Sequence, residues 1–256
     1  MALDPTAFHL RYRRWQDLHR QAGAGRSYPH ARRLPGLARP LGPAGRHTAE
    51  NALALDLYSL GRFQEALAVL SPDNTSPPAG NLRQRLALLR HGAIPAGVQP
   101  GPAQAAYLAY LADQPRTCVQ ALARTQGGEA DPAWLTVLGV WARARLGQKS
   151  DPGPGHQALA SLRRPDSALA AQAEALHAEA AFHLGARWAV VWLDLALEQA
   201  ERFGQHHMKA RLLFLKAYAL EAAGEPGEGA RFRNLARCLA ERQGAFLYLE
   251  LFLTRR

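Results

Sequence analysis

Cysteine is scarce in this sequence, which has only Cys118 and Cys238 in 256 residues. Two thiols are too few for a disulfide framework or for a zinc site with four cysteine ligands. A low cysteine content is typical of proteins in a reducing compartment, and we therefore expect a cytoplasmic protein. Each Cys lies among residues with helical periodicity, which favours a packed core thiol.

Long apolar runs are also missing. No segment approaches the roughly 18 consecutive apolar residues of a transmembrane helix, so we expect no membrane partner. A secretory signal needs an apolar stretch of about 7–15 residues near the N-terminus, and Arg11, Arg13 and Arg14 interrupt any such stretch.

The motifs of common catalytic and cofactor sites do not occur. Ten His are present, but no His-Glu-x-x-His zinc helix is found, and the helical positions of His177 and His183 diverge. The three Lys do not follow a glycine-rich phosphate loop, and no Gly-x-Ser-x-Gly elbow is present. We predict a protein that is not an enzyme and that uses no cofactor or metal.

Acidic residues are outnumbered, with 31 Lys+Arg against 21 Asp+Glu and a formal net charge of +10. Residues 1–50 hold nine Arg and three acids, which is a net charge of +6. A concentrated positive field favours phosphate-bearing or acidic partners, although an Arg excess is also typical of a GC-rich genome. The candidate polyanion-binding residues are Arg11, Arg13, Arg14, Arg20, Arg26, Arg32, Arg33, Arg39 and Arg46.

Ala, Leu and Arg are abundant and are good helix formers, while alternating β-branched residues are rare. This composition predicts an all-α fold. Phe8, Tyr12, Trp15 and Leu18 recur at the spacing of one helix face. Residues 21–46 then contain five Gly and four Pro, which predicts a loop or flexible basic arm.

Breaks in the helical pattern recur at Gly61, Asp113, Gly147, Gly185 and Gly224. Their separations are 52, 34, 38 and 39 residues, and spacings in the thirties are typical of helix-pair repeats. The pattern therefore predicts antiparallel helix pairs, and a stack of unrelated helices is the alternative.

The unit at residues 49–67 resembles the tetratricopeptide repeat (TPR). Its motif residues are Leu53, Ala54, Leu57, Gly61, Phe63 and Ala66. Small residues let two helices approach closely, and glycine ends the first helix. The resemblance implies an elongated, right-handed superhelical stack of antiparallel helix pairs, a TPR-like α-solenoid similar to the repeat domains of bacterial transcriptional regulators.

The resemblance also implies that the first helix of each pair lines a concave surface. The candidate partner-binding residues at the corresponding positions are Asn51, Tyr58, Glu179, Arg211 and Tyr218. For each aromatic residue among them, a place in the core is the alternative.

The C-terminal stretch from Phe246 to Leu253 is apolar on all sides of a helix. Such a helix either caps the stack or forms a homodimer interface. The expected organisation is an N-terminal helix and basic arm at 1–46, TPR-like repeats at 47–242 and this terminal helix at 243–256.

Two functions are compatible with these patterns. The leading hypothesis is a non-enzymatic helical-repeat module that binds a protein or peptide, as part of a regulator. The alternative is a nucleic-acid (DNA) binding protein that uses the basic N-terminal region.

Overall fold

The computed structural model describes residues 5–94, 99–126, 128, 130–148, 153–162 and 167–253. Within these ranges the chain forms fifteen α-helices and two short 3-10 helices, and no strand. The all-α prediction is confirmed. Its physical basis is the dominance of residues that lose little side-chain freedom in a helix.

Five helices make up the N-terminal part of the fold. They are α1 (Pro5–Ala22), α2 (Ala24–Ala31), α3 (Leu34–Ala38), α4 (Gly42–Ser59) and α5 (Phe63–Val69). Helices α4 and α5 are the hairpin that the repeat motif predicts.

Residues 21–46 are not the loop or flexible arm that their Gly and Pro content predicts. Helices α2 and α3 and the start of α4 occupy this segment, and Ala31, Leu34 and Ala38 are fully buried. Prolines stand in the first turns of α3 and α4, where a missing N–H costs no helical hydrogen bond. The domain boundary expected between residues 46 and 47 therefore falls inside α4.

The next five helices each contain one of the predicted helical segments. They are α6 (Pro77–His91), α7 (Pro102–Leu111), α8 (Pro115–Leu122), α9 (Pro132–Arg145) and α10 (Gly153–Leu162). Four of them begin at a proline, whose fixed φ suits the first helical position.

The last five helices include two longer hairpins and the terminal helix. They are α11 (Ala168–His183), α12 (Ala189–Arg202), α13 (Lys209–Ala222), α14 (Pro226–Gln243) and α15 (Phe246–Leu253). The helices predicted for these segments are confirmed.

All five predicted breaks adopt the left-handed backbone conformation that ends helices. The φ angles are 74° at Gly61, 55° at Asp113, 70° at Gly147, 67° at Gly185 and 88° at Gly224. Asp113 is the one non-glycine residue with positive φ in the described ranges. Glycine adopts this conformation without a Cβ penalty, which explains why the turns were readable from sequence.

The first and last helical hairpins contact each other. The Tyr58 ring of α4 lies 4.7 Å from that of His207, and a Cβ at Gly61, after α4, would lie 2.4 Å from Gln243 Nε2 of α14. In an elongated stack each pair touches only its sequence neighbours. The contact between the first and last hairpins departs from this pattern, and the superhelical arrangement expected from the repeat resemblance stays a prediction.

Helix α15 packs against α6, α13 and α14. Leu247, Tyr248 and Phe252 are buried in this contact, whereas Phe246 and Leu253 are exposed. The terminal helix thus caps its own chain, and a homodimer through its exposed side stays a prediction.

Candidate binding groove

A groove with a cavity volume of about 970 Å³ lies between α1, α4, α6 and α11. We call it the interhelical groove and define it by six lining residues: Tyr12, His19, Arg20, Asn51, Arg85 and Gln172. Each of the six carries a hydrogen-bonding group, and Leu55 and Leu82 add apolar surface. A few convergent polar groups on an apolar surface are typical of ligand sites.

One wall of the interhelical groove is an aromatic stack along α1. Ring centroids are 5.3 Å apart between Tyr12 and Trp15, and 5.4 Å apart between Trp15 and His19. The sequence pattern predicts that Tyr12 and Trp15 share a helix face, and His19, four residues after Trp15, lies on the same face. Trp15 is buried and the other two rings are half-buried, so this face of α1 contributes to both the core and the groove.

The aromatic wall is held in place by a buried carboxylate. Asp56 of α4 accepts hydrogen bonds from Trp15 Nε1 at 3.0 Å, His19 Nδ1 at 2.6 Å and Ser27 Oγ at 2.8 Å. Its side chain is fully buried. Because three groups from α1 and α2 converge on it, Asp56 sets the position of α1 relative to α4 and orients the His19 ring.

Side-chain amides are fixed around the groove by hydrogen bonds. Asn51 Nδ2 donates to Ser76 Oγ at 2.9 Å, and Asn51 Oδ1 accepts from Asn74 Nδ2 at 3.0 Å. Gln172 Nε2 donates to Gln205 Oε1 at 3.0 Å. Each amide keeps further donor or acceptor capacity, so these groups can bind a ligand that offers both.

Two arginines and one acid contribute formal charge to the lining. Arg20 is exposed and Arg85 is half-buried. The acid, Asp131, is the N-cap of α9 and accepts from the N–H groups of Ala133 and Trp134 at 2.8 and 3.3 Å. Since Asp131 is engaged with a helix terminus, the groove favours anionic over cationic ligand groups.

The candidate partner-binding residues divide between the groove and the interior. Asn51 lines the interhelical groove. Tyr58, Glu179 and Arg211 are 2%, 0% and 1% exposed, so the exposure expected for them is wrong. Tyr218 is half-buried, and its hydroxyl donates to the carbonyl of Phe252. The faces assigned to solvent are covered because α15 and neighbouring helix pairs pack against them.

Glu179 and Arg211 form a buried ion pair at the centre of the fold. Arg211 Nε donates to both carboxylate oxygens of Glu179 at 2.9 Å, and Tyr110 OH donates to the same carboxylate at 2.5 Å. Burial by itself lowers the pKa of Arg211, but the charge of Glu179 outweighs burial and the net pKa is raised. The guanidinium therefore stays charged and links α11 to α13.

The candidate polyanion-binding residues are mostly on the surface. The exposed ones are Arg13, Arg14, Arg20, Arg26, Arg32, Arg33, Arg39 and Arg46, and Arg11 is half-buried. Arg46 is bound by the carboxylate of Asp73 and lies 3.7 Å from Glu50. Its charge is therefore largely compensated within the chain.

Three of these arginines act on the same histidine. Burial lowers the pKa of His30, and the positive charges of Arg11, Arg14 and Arg33 lower it further. The fold thus brings cations from α1 and from the turn after α2 within electrostatic range of His30. We call Arg11, Arg14 and Arg33 the arginine cluster.

The sequence patterns did not single out three residues that shape the groove: Asp56, Arg85 and Gln104. Asp56 is one of two acids in an Ala/Leu-rich helix, and Arg85 follows Leu82 by three positions beside the buried face of α6. The one sequence signal for such residues is a polar side chain next to an apolar stripe. This signal is weak, because most polar side chains at such positions are exposed to solvent.

No set of three His, Cys, Asp or Glu side chains in the described ranges is arranged to hold a metal ion. None of the described helices is long and apolar enough to cross a membrane. In comparisons with protein-family models, curated proteins and solved structures, nothing matches the chain.

Proposed function

We propose that this chain is a non-enzymatic, TPR-like helical-repeat module that binds an extended peptide segment of a protein partner in the interhelical groove. The observation that carries the proposal is the lining of the groove, where a stacked aromatic wall faces fixed side-chain amides. The proposal includes a regulatory role of the kind that the repeat resemblance implies.

The chemistry of an extended peptide fits this lining. Its N–H and C=O groups alternate and lack partners, and Asn and Gln side chains both donate and accept. Its side chains require apolar area, which the rings of Tyr12 and Trp15 and the side chain of Leu55 supply. The volume of about 970 Å³ is near the upper end of the usual range for ligand sites, roughly 300–1,000 Å³.

The test is a selection from a random twelve-residue peptide library on the immobilised full chain. Enriched peptides are then titrated by fluorescence anisotropy against the wild type and Asn81→Trp, which places a bulky ring in the groove lining. We expect the variant to bind at least tenfold more weakly.

The control is Gln120→Trp, which adds the same ring at an exposed position of α8 and should leave affinity unchanged. Thermal unfolding of both variants establishes that they fold. The absence of enriched peptides, or equal affinity for Asn81→Trp and wild type, would exclude the groove as a peptide site.

A second function, direct nucleic-acid binding, is favoured by the arginine cluster. Within the described ranges, none of its three guanidinium groups lies within ion-pair distance of a carboxylate, so their field is available to phosphates. Deleting residues 1–46 is not a clean test, since this segment contributes to the core through Leu34 and Ala38.

Substitution of the cluster is the sharper experiment. Arg11, Arg14 and Arg33 are changed together to Gln, and binding to labelled 20-nucleotide single- and double-stranded DNA is measured at 50 and 200 mM salt. Loss of three phosphate contacts reduces the slope of log affinity against log salt by about two to three. The matched control changes Arg124, Arg237 and Arg242 to Gln, all exposed. Equal loss in both triple variants would leave no role for the cluster.

A further inference from the structure

Arg85 is a half-buried cation in the lining of the interhelical groove. The carbon centre of its guanidinium lies 4.6 Å from the ring centroid of Tyr107 and 5.9 Å from that of Tyr58. Both rings are buried. The aromatic faces stabilise the cation, but they also remove part of its water, and desolvation of a charge is unfavourable unless a counter-charge compensates.

No carboxylate in the described ranges compensates Arg85. Its Nε and Nη2 both donate to Gln104 Oε1, at 3.2 and 2.8 Å, and its Nη1 has no acceptor among the described residues. Gln104 is itself held, because its Nε2 donates to the Asn81 carbonyl at 3.1 Å. One edge of the guanidinium is therefore fixed by a neutral group while the charge stays unbalanced.

Two other arginines that are at least half-buried have a carboxylate partner. Arg211 is paired with Glu179, as described above. Arg145 donates from Nε and Nη2 to the two carboxylate oxygens of Asp113, at 3.0 and 2.8 Å. Arg85 thus contrasts with them in facing a cavity instead of an acid, and the cavity is where its counter-charge can bind.

We propose that the interhelical groove recognises a carboxylate of its peptide ligand, that Arg85 is the residue that binds it, and that Gln104 is a positioning residue. This inference rests on the proposed peptide-binding function. The carboxylate comes from an Asp or Glu side chain or from the peptide C-terminus, and both present the same pair of oxygens to a guanidinium. Arg20, on the same groove, adds to the attraction.

Two substitutions and one control test the assignment. Arg85→Gln removes the charge and keeps a polar side chain. Gln104→Glu keeps Arg85 but places a carboxylate against it, so the guanidinium is neutralised from within the chain. The control is Arg90→Gln, which removes one exposed charge from the same helix outside the groove lining.

The probes are the peptides enriched in the library selection, each made in four forms. Acidic residues are kept or replaced by their amides, and the C-terminus is a free carboxylate or an amide. We expect removal of the recognised carboxylate to weaken wild-type binding about tenfold, and to have no further effect in Arg85→Gln or Gln104→Glu. The form that loses affinity identifies the source of the carboxylate.

Failure of this inference and failure of the proposed function give different results. Peptides that bind the groove equally well in all four forms exclude carboxylate recognition and leave peptide binding intact. If no peptide is enriched, NMR provides a separate test through the Nε–H resonance of Arg85, which is assigned by its loss in Arg85→Gln. The resonance is followed during titration with two small compounds, the N-methylamides of N-acetylglutamate and N-acetylglutamine, at constant ionic strength. A saturable shift with the glutamate compound alone supports the anion site, and no difference between the two overturns it.

Discussion

The rings of Tyr58 and His207 lie 4.7 Å apart in the interior, where α4 meets the 3-10 turn (His206–Met208) that precedes α13. Burial lowers the pKa of His207 to about 3, and the positive charge of Arg85 acts in the same direction. His207 is therefore neutral in the folded protein at the pH values where an unfolded histidine takes up a proton.

This burial predicts a loss of stability on acidification. In the unfolded protein His207 binds a proton below its ordinary pKa of 6.5, whereas in the folded protein it stays neutral down to about pH 3. The folded state therefore loses stability as the pH falls from 6.5 towards 3. Between pH 6.5 and 4.5 the loss from this residue is about 2 kcal/mol. Urea unfolding of the wild type and His207→Gln at both pH values measures it. If both proteins lose the same free energy, another group is responsible.

A second prediction concerns the carboxylate that holds the aromatic wall. In Asp56→Asn, one of the three donors to residue 56 faces an amide N–H₂ group instead of a carboxylate oxygen. We therefore expect the free energy of unfolding to fall by about 2–3 kcal/mol and the tryptophan emission of the protein to shift. The control is Asp194→Asn, which weakens the pair of an exposed carboxylate with the half-buried Lys216 and should cost about 1 kcal/mol. Urea unfolding followed by fluorescence compares them, and equal losses would show that Asp56 has no special role.

The buried ion pair leads to a third prediction. Arg211→Met leaves Glu179 without its guanidinium partner, so the single substitution should cost about 3–5 kcal/mol. Adding Glu179→Leu removes the unpaired buried carboxylate and should restore a large part of the lost free energy of unfolding. Chemical denaturation of the two single variants and the double variant completes the cycle. Additive losses would mean that the two side chains do not interact energetically.

Backbone approach between α1 and α12 gives a fourth prediction. A Cβ at Gly23 would lie 1.8 Å from the carbonyl oxygen of Phe203, and φ is +71°. Gly185 has a φ of +67° with open space around it, and Gly25 is helical with open space. We expect Gly25→Ala to be neutral or stabilising, Gly185→Ala to cost about 1 kcal/mol and Gly23→Ala to cost more than about 2 kcal/mol.

Thermal unfolding of the three alanine variants measures this order. The comparison separates three factors: Gly25→Ala reports helix propensity, Gly185→Ala adds a positive φ, and Gly23→Ala adds a steric contact to a positive φ. A Gly23→Ala protein as stable as Gly185→Ala would show that the turn after α1 can move away from α12.

Helix ends were predictable because their causes are local. The turns at Gly61, Gly185 and Gly224 follow from one residue's freedom at positive φ, and the proline starts of α7, α8 and α9 follow from one missing N–H. The groove was only partly predictable. Asn51 and Arg20 were among the candidates, whereas Asp56 and Arg85 depend on partners from other helices.

The amino-acid order alone therefore defines an all-helical chain, the positions of its helical hairpins and the concentration of positive charge near its N-terminus. Whether a polar side chain is solvated, as Arg33 is, or buried, as Arg211 and Glu179 are, depends on which helices cover it. That coverage comes from contacts between distant segments, such as α4 with the turn before α13. Helical periodicity does not encode these contacts, because it records which face of a helix is apolar and not what that face meets.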